Sequence, residues 1–144
     1  MKKMICLFIL ISGMISCTSD NETEIHNFDL IGKWNWISTD GGIGFHIHET
    51  PNSTGKIVEL NIKDDNHYAI QENGSEVVNG TYEIVMKASI YSLDIERFII
   101  YSAEYQNQNT VVSGVIRVLE NNKLSISDNN FDGIGSEYIK STKK

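Results

Sequence analysis

With 144 residues and a formal net charge of −7, the chain has room for one domain with a single core, and it lacks the basic stripe that binding to a phosphate backbone requires. Its twelve Lys and Arg are scattered, so no nucleic acid is expected as a partner. Of the two cysteines, Cys6 lies in an apolar N-terminal run; if that run is removed, no disulfide can form within the chain and the fold must rest on its apolar core.

Residues 1–16 read MKKMICLFILISGMIS, in which Lys2 and Lys3 precede about ten apolar residues. That is the pattern of a secretory signal, too short to span a bilayer as a helix. Its end is the more specific feature. Met14, Ile15, Ser16 and Cys17 resemble a bacterial lipobox. The resemblance implies that the Cys17 thiol receives a diacylglycerol, that the peptide is cut before it, and that the new amino group takes a fatty acid such as palmitate. Buried acyl methylenes contribute roughly 0.8 kcal/mol each and one chain holds only weakly, so three chains would make a durable anchor.

Residues 17–29 read as the lipidated cysteine and an acidic, flexible tether. TSDNETEIHN (18–27) is poor in apolar residues, which favours a solvated segment. Fully extended, those ten residues reach at most about 35 Å. Ser19, Asp20, Asn21 and Glu22 resemble the acidic tract of surface-exposed lipoproteins of Bacteroidota, although a bland acidic linker has the same composition. Removal of the signal leaves ten basic against nineteen acidic residues, a formal balance of −9.

From Leu30 onward no window has helical periodicity, and short β-type runs alternate with turn residues. Strands are expected at 30–38, 43–49, 56–63, 67–72, 77–87, 91–103, 110–120, 123–127 and 134–140. Asp40-Gly41-Gly42, Asp64-Asp65-Asn66, Asn73-Gly74, Asn121-Asn122 and Asp132-Gly133 supply the reversals, because Gly and Asn tolerate positive φ. Tight turns make sequential strands neighbours, giving an up-and-down meander. Alternation assigns Val58, Leu60 and Ile62, then Tyr68 and Ile70, then Tyr82, Ile84 and Met86, to one face of each strand. Closure would remove the open edges of such a sheet. The predicted fold of residues 30–144 is therefore all-β, a small antiparallel up-and-down β-barrel of about eight strands.

Gly32-Lys33-Trp34, within LIGKWNW (30–36), resembles the Gly-x-Trp signature of lipocalin and calycin barrels. TPNSTG (50–55), NGTYEI (79–84) and LSISDNNFDGIGSEYIK (124–140) follow in an order similar to a group of lipocalin-like lipoproteins of Bacteroidota. The resemblance covers about residues 30–140 and implies a barrel that holds a small apolar or amphipathic ligand. In lipocalins the signature Trp closes the barrel base against a basic side chain near the last strand. Carried onto this chain, Gly32 and Trp34 take the closure positions and Lys140 the basic one, a Lys where the family has Arg. Trp36 shares a face with Trp34, so both also suit a plain core.

Three further features have the right residue types for chemistry. His46 and His48, two apart on an expected strand, would project from one side as a metal site requires, and would equally suit an exposed polar face. Asp128, Asn130 and Asp132, followed by Gly133, match the first half of a calcium loop, but Ile139 stands where the bidentate Glu belongs, and a polar hairpin explains the same residues. Arg97 falls on the Leu93, Ile95, Ile99 and Tyr101 face, where an inward guanidinium could bind a carboxylate or stack on Trp34; a bulge would reverse that face.

No nucleophile constellation, HExxH or phosphate loop is present, so neither an enzyme nor a cofactor is expected. The leading expectation is an outer-membrane, envelope lipoprotein with an interior ligand site of Trp36, Tyr68, Tyr82, Arg97 and Tyr101. The alternative is a packed, ligand-free barrel acting as an interaction or accessory module of an envelope complex. Interior volume separates the two: a continuous cavity above roughly 300 Å³ would suit a ligand, and a filled core would not.

Overall fold

A computed structural model describes residues 25, 27–103, 110 and 113–142. The signal and most of the tether, including Cys17, lie outside the described residues. The strands are β1 (Gly32–Gly41), β2 (Ile47–Glu49), β3 (Val58–Ile62), β4 (His67–Glu72), β5 (Ser75–Ala88), β6 (Ile95–Tyr101), β7 (Gly114–Leu119), β8 (Lys123–Ser127) and β9 (Ile134–Lys140), with one short helix α1 (Pro51–Thr54).

From β3 to β9 each strand pairs antiparallel with the next, and β9 returns to pair with β1. Eight strands therefore close into an up-and-down barrel, the predicted architecture. β2 is an extra strand on the edge of β1, paired at Thr39 to Gly41, while β3 takes the same edge at Gly32 to Asn35. The long strand β5 pairs with β4 through its first half and with β6 through its second, a stagger of the kind that closing a tilted sheet requires.

Local chemistry explains most of the reversals. Asn66, Asn73, Asn121 and Asn122 all adopt φ between 52° and 62°, at the turns predicted from their identity. Gly133 is required for a different reason: a Cβ there would lie 1.7 Å from Asp128 Oδ1, so close approach rather than positive φ demands glycine.

The 43–49 segment departs from its predicted single strand. Gly42, Gly44 and Phe45 occupy positive φ (75°, 70° and 54°), and Ile43–Phe45 form a 3-10 turn, leaving only Ile47–Glu49 to pair. Helix α1 was also not expected. It starts at a Thr50–Ser53 capping box with Pro51 in its first turn and stops at Gly55 with φ 69°, a start and stop that TPNSTG encodes locally.

In β1 the register against β9 shifts between Trp36 and Ser38, so Trp34 and Trp36 face inward, and beyond this bulge so do Thr39 and Gly41. Val58, Leu60, Ile62, Tyr68, Ile70 and Tyr82 are buried as their alternation predicts. Met86, on the same face of β5, is exposed instead, near the turn between β5 and β6. Residues from all eight barrel strands meet in one core, which Leu30 joins from just before β1. Each fully buried side chain of this kind contributes about 1.5–3 kcal/mol.

Candidate functional site

The end of the barrel where the chain enters is closed by the turn at 27–30. Leu30 donates its backbone N–H to Asn27 O (2.9 Å) and inserts a fully buried side chain, while Trp34 Nε1 donates to Leu30 O at 2.7 Å. Lys140 Nζ sits 4.9 Å from the centroid of the Trp34 ring. Gly32, at φ +134°, leaves room for that lysine, since a Cβ would lie 3.0 Å from Lys140 Cε. Gly32, Trp34 and Lys140 are thus brought together.

Arg97 does share a strand face with Ile99 and Tyr101, but its guanidinium is at the rim. It donates from both terminal nitrogens to Asp29, at 2.9 and 2.7 Å. The hydrogen bonds from Arg97 hold the Asp29 carboxyl below the usual carboxylate range. The carboxylate that Arg97 engages is therefore the chain's own. Nothing in the sequence points to Asp29, which falls in the expected tether and lies 68 residues from its partner. Asn27 is likewise packed, donating to the Tyr82 hydroxyl at 3.1 Å, and Tyr82 in turn donates to Lys63 O at 2.8 Å. Packing contacts among the described residues thus reach back to Asn27.

The remaining interior candidates fill the barrel. Trp36, Tyr68, Tyr82 and Tyr101 are each at most 7% exposed. The Tyr68 and Tyr101 rings meet edge-on with centroids 4.2 Å apart, and Tyr82 lies 6.5 Å from Tyr101. Trp36 Nε1 donates to Thr39 Oγ1 at 2.9 Å, and Thr39 shares a 2.6 Å hydrogen bond with Ser136, so a small polar network occupies the interior beyond the bulge. The Tyr68 hydroxyl donates to Ala103 O. The Tyr101 hydroxyl is fully buried with no hydrogen-bond partner among the described residues, and burial pushes this phenol well above 10. Concavities of about 370 Å³ beside Glu76 and Asn79, and about 260 Å³ beside Tyr91 and Arg117, open to solvent rather than into the core.

The metal candidates do not converge. His46 follows the 3-10 turn and shares a hydrogen bond with Ile43 O at 2.6 Å; His48, on β2, pairs with Asp40, whose carboxyl is thereby lowered. Among the described residues no group of three or more His, Cys, Asp or Glu is arranged to hold a metal ion. The loop holding Asp128, Asn130 and Asp132 instead clasps the β5–β6 connection. Asn129 Oδ1 accepts from Ile90 N at 2.9 Å, and Asn130 O accepts from both the Tyr91 hydroxyl and Gly133 N. Asn129 is the polar side chain here that spacing did not single out. Asp128 Oδ1 is buried without a partner among the described residues.

No helix among the described residues is long and apolar enough to cross a membrane. In comparisons with protein-family models, with curated proteins and with solved structures, none matches this chain.

Proposed function

We propose that the chain is a lipid-anchored, lipocalin-like lipoprotein of the cell envelope, seated on the outer membrane, whose packed barrel serves as an interaction or accessory module rather than as a ligand calyx. The observation that carries the second half is the filling of the interior by Trp34, Trp36, Tyr68, Tyr82, Tyr101 and Tyr138, all at most 7% exposed. An eight-stranded barrel is just wide enough either to fill with side chains or to hold one small molecule, and these aromatics favour the first use. Arg97, the cation expected to meet an interior carboxylate ligand, is engaged by Asp29. The anchor half rests on the Met14 to Cys17 motif and the acidic segment after it.

Two measurements test the reading. Native mass spectrometry of the protein purified from its own host should give the mass of the acylated chain alone; a further retained small molecule would restore the ligand-binding reading. Cys17→Ala should move the protein from the membrane to the soluble fraction. Retention of that variant on membranes would remove the anchor from the proposal.

A further inference from the structure

We propose that the barrel opens laterally, along the seam between β6 and β7, and that the Glu96–Arg117 ion pair is the strap that holds this seam shut.

The seam is the thinnest line in the barrel wall. Among the described residues β6 and β7 are joined by two residue pairs only, Phe98 with Val115 and Ile99 with Gly114. The other strand pairs that close the barrel carry four to seven each. Carried on, the same register would set Arg97 opposite Ile116, Glu96 opposite Arg117 and Ile95 opposite Val118, yet none of these forms a rung of the ladder. The strands themselves persist there. Ile95, Glu96 and Arg97 stay paired with Ala88, Lys87 and Met86 of β5, and Ile116, Arg117 and Val118 with Ile126, Ser125 and Leu124 of β8. The missing rungs therefore mark a parting between two intact strands rather than the fraying of a strand end. At the start of β7 the chain is pressed against the opposite neighbour: a Cβ on Gly114 would lie 2.1 Å from Ser127 O of β8.

Across the parted half the wall is spanned by side chains. Arg117 Nε donates to Glu96 Oε2 at 2.7 Å, and Arg117 Nη2 bonds the same oxygen. The other carboxylate oxygen accepts from the Ser92 hydroxyl at 2.5 Å, so the β5–β6 turn holds Glu96 in position for its partner. The side chains are 14% exposed for Glu96 and 42% for Arg117. A pair this close to water is weak enough to break and re-form, which suits a closure that opens.

Behind the seam lies the core. Ile99 and Ile116 adjoin it and are 0% and 2% exposed. Parting β6 from β7 uncovers both and frees two strand edges, while every other wall keeps its longer ladder.

The test is residue-resolved amide hydrogen exchange, read by NMR on the full acylated chain in detergent micelles. Amides bonded across the seam around Phe98 and Val115 should exchange at least about tenfold faster than those joining β8 to β9, with little response to low denaturant, the mark of local opening. Arg117→Met keeps the apolar stem and removes the charge, and should quicken exchange at the seam several-fold further while β8–β9 stays as it was. Lys123→Met removes the Lys123–Glu137 pair from the neighbouring β8–β9 wall and should leave the seam unchanged. Seam amides as slow as those of β8–β9 in the wild-type protein overturn lateral opening, whether or not the variants fold. Equal acceleration of both walls by Arg117→Met, or the same seam acceleration from Lys123→Met, reports a general loss of stability and overturns the strap. So does a seam whose exchange ignores Arg117→Met.

Discussion

Lys140 Nζ lies 4.9 Å from the centroid of the Trp34 ring, and the two residues are cross-strand partners on the pair of strands, β9 and β1, that closes the barrel. Ring and ammonium attract electrostatically, and a partly exposed contact of this kind contributes about 0.5–1 kcal/mol. Lys140→Met keeps most of the stem and removes the charge, so it should lower unfolding free energy by about that amount. Trp34→Ala, which empties a fully buried site, should cost about 3–5 kcal/mol. Chemical denaturation of both variants checks the ratio.

The Asp29–Arg97 pair makes a pH prediction. The folded Asp29 carboxyl titrates below its ordinary value of 3.8, so the unfolded chain takes up the proton first as acid is added. The pair's contribution is complete above the ordinary value and is lost as pH falls through the lowered one. Both groups are partly exposed, so a double-mutant cycle with Asp29→Asn and Arg97→Met should give a coupling of about 0.5–1 kcal/mol near neutrality, disappearing in strong acid.

Tyr101 carries a buried hydroxyl without a partner among the described residues, an arrangement that costs about 1–3 kcal/mol relative to a satisfied group. Tyr101→Phe should therefore raise the melting temperature; a fall would show that the hydroxyl is hydrogen-bonded in solution. Burial raises the phenols of Tyr68, Tyr82 and Tyr101 above their ordinary 10.0. Their contribution is intact below that value and is lost as pH rises beyond it, where the unfolded chain releases protons first. Stability measured against pH should decline above about pH 10, less steeply in Tyr101→Phe.

Gly114 opens β7 at φ +144°, and a Cβ there would lie 2.1 Å from the backbone oxygen of Ser127 on β8. Gly114→Ala must push these paired strands away from each other and should cost about 2–3 kcal/mol. Gly74, at φ +82°, has open space around it, so Gly74→Ala should cost only about 1 kcal/mol, from backbone strain alone. Thermal melts of both variants separate steric demand from conformational preference.

The strands β4, β8 and β9 occupy the spans read from alternation and turn residues, because side-chain periodicity and the positive φ of Asn66, Asn73, Asn121 and Asn122 are local properties. Local signals for α1 and the 3-10 turn were also present, in the Thr50 capping box and the Gly42 and Gly44 pair; the β-type pattern around them obscured both. The composition and the Gly and Asn turns thus sufficed for an all-β meander; the anchor expected from Met14 to Cys17 lies outside the described residues. The β1 bulge, the meeting of Asp29 with Arg97 and the filling of the interior were decided only by the tertiary structure. Each depends on strand stagger and on contacts between residues tens of positions apart. Whether an aromatic side chain lines a cavity or fills it is a matter of how far the opposite wall stands, and no neighbour in sequence carries that distance.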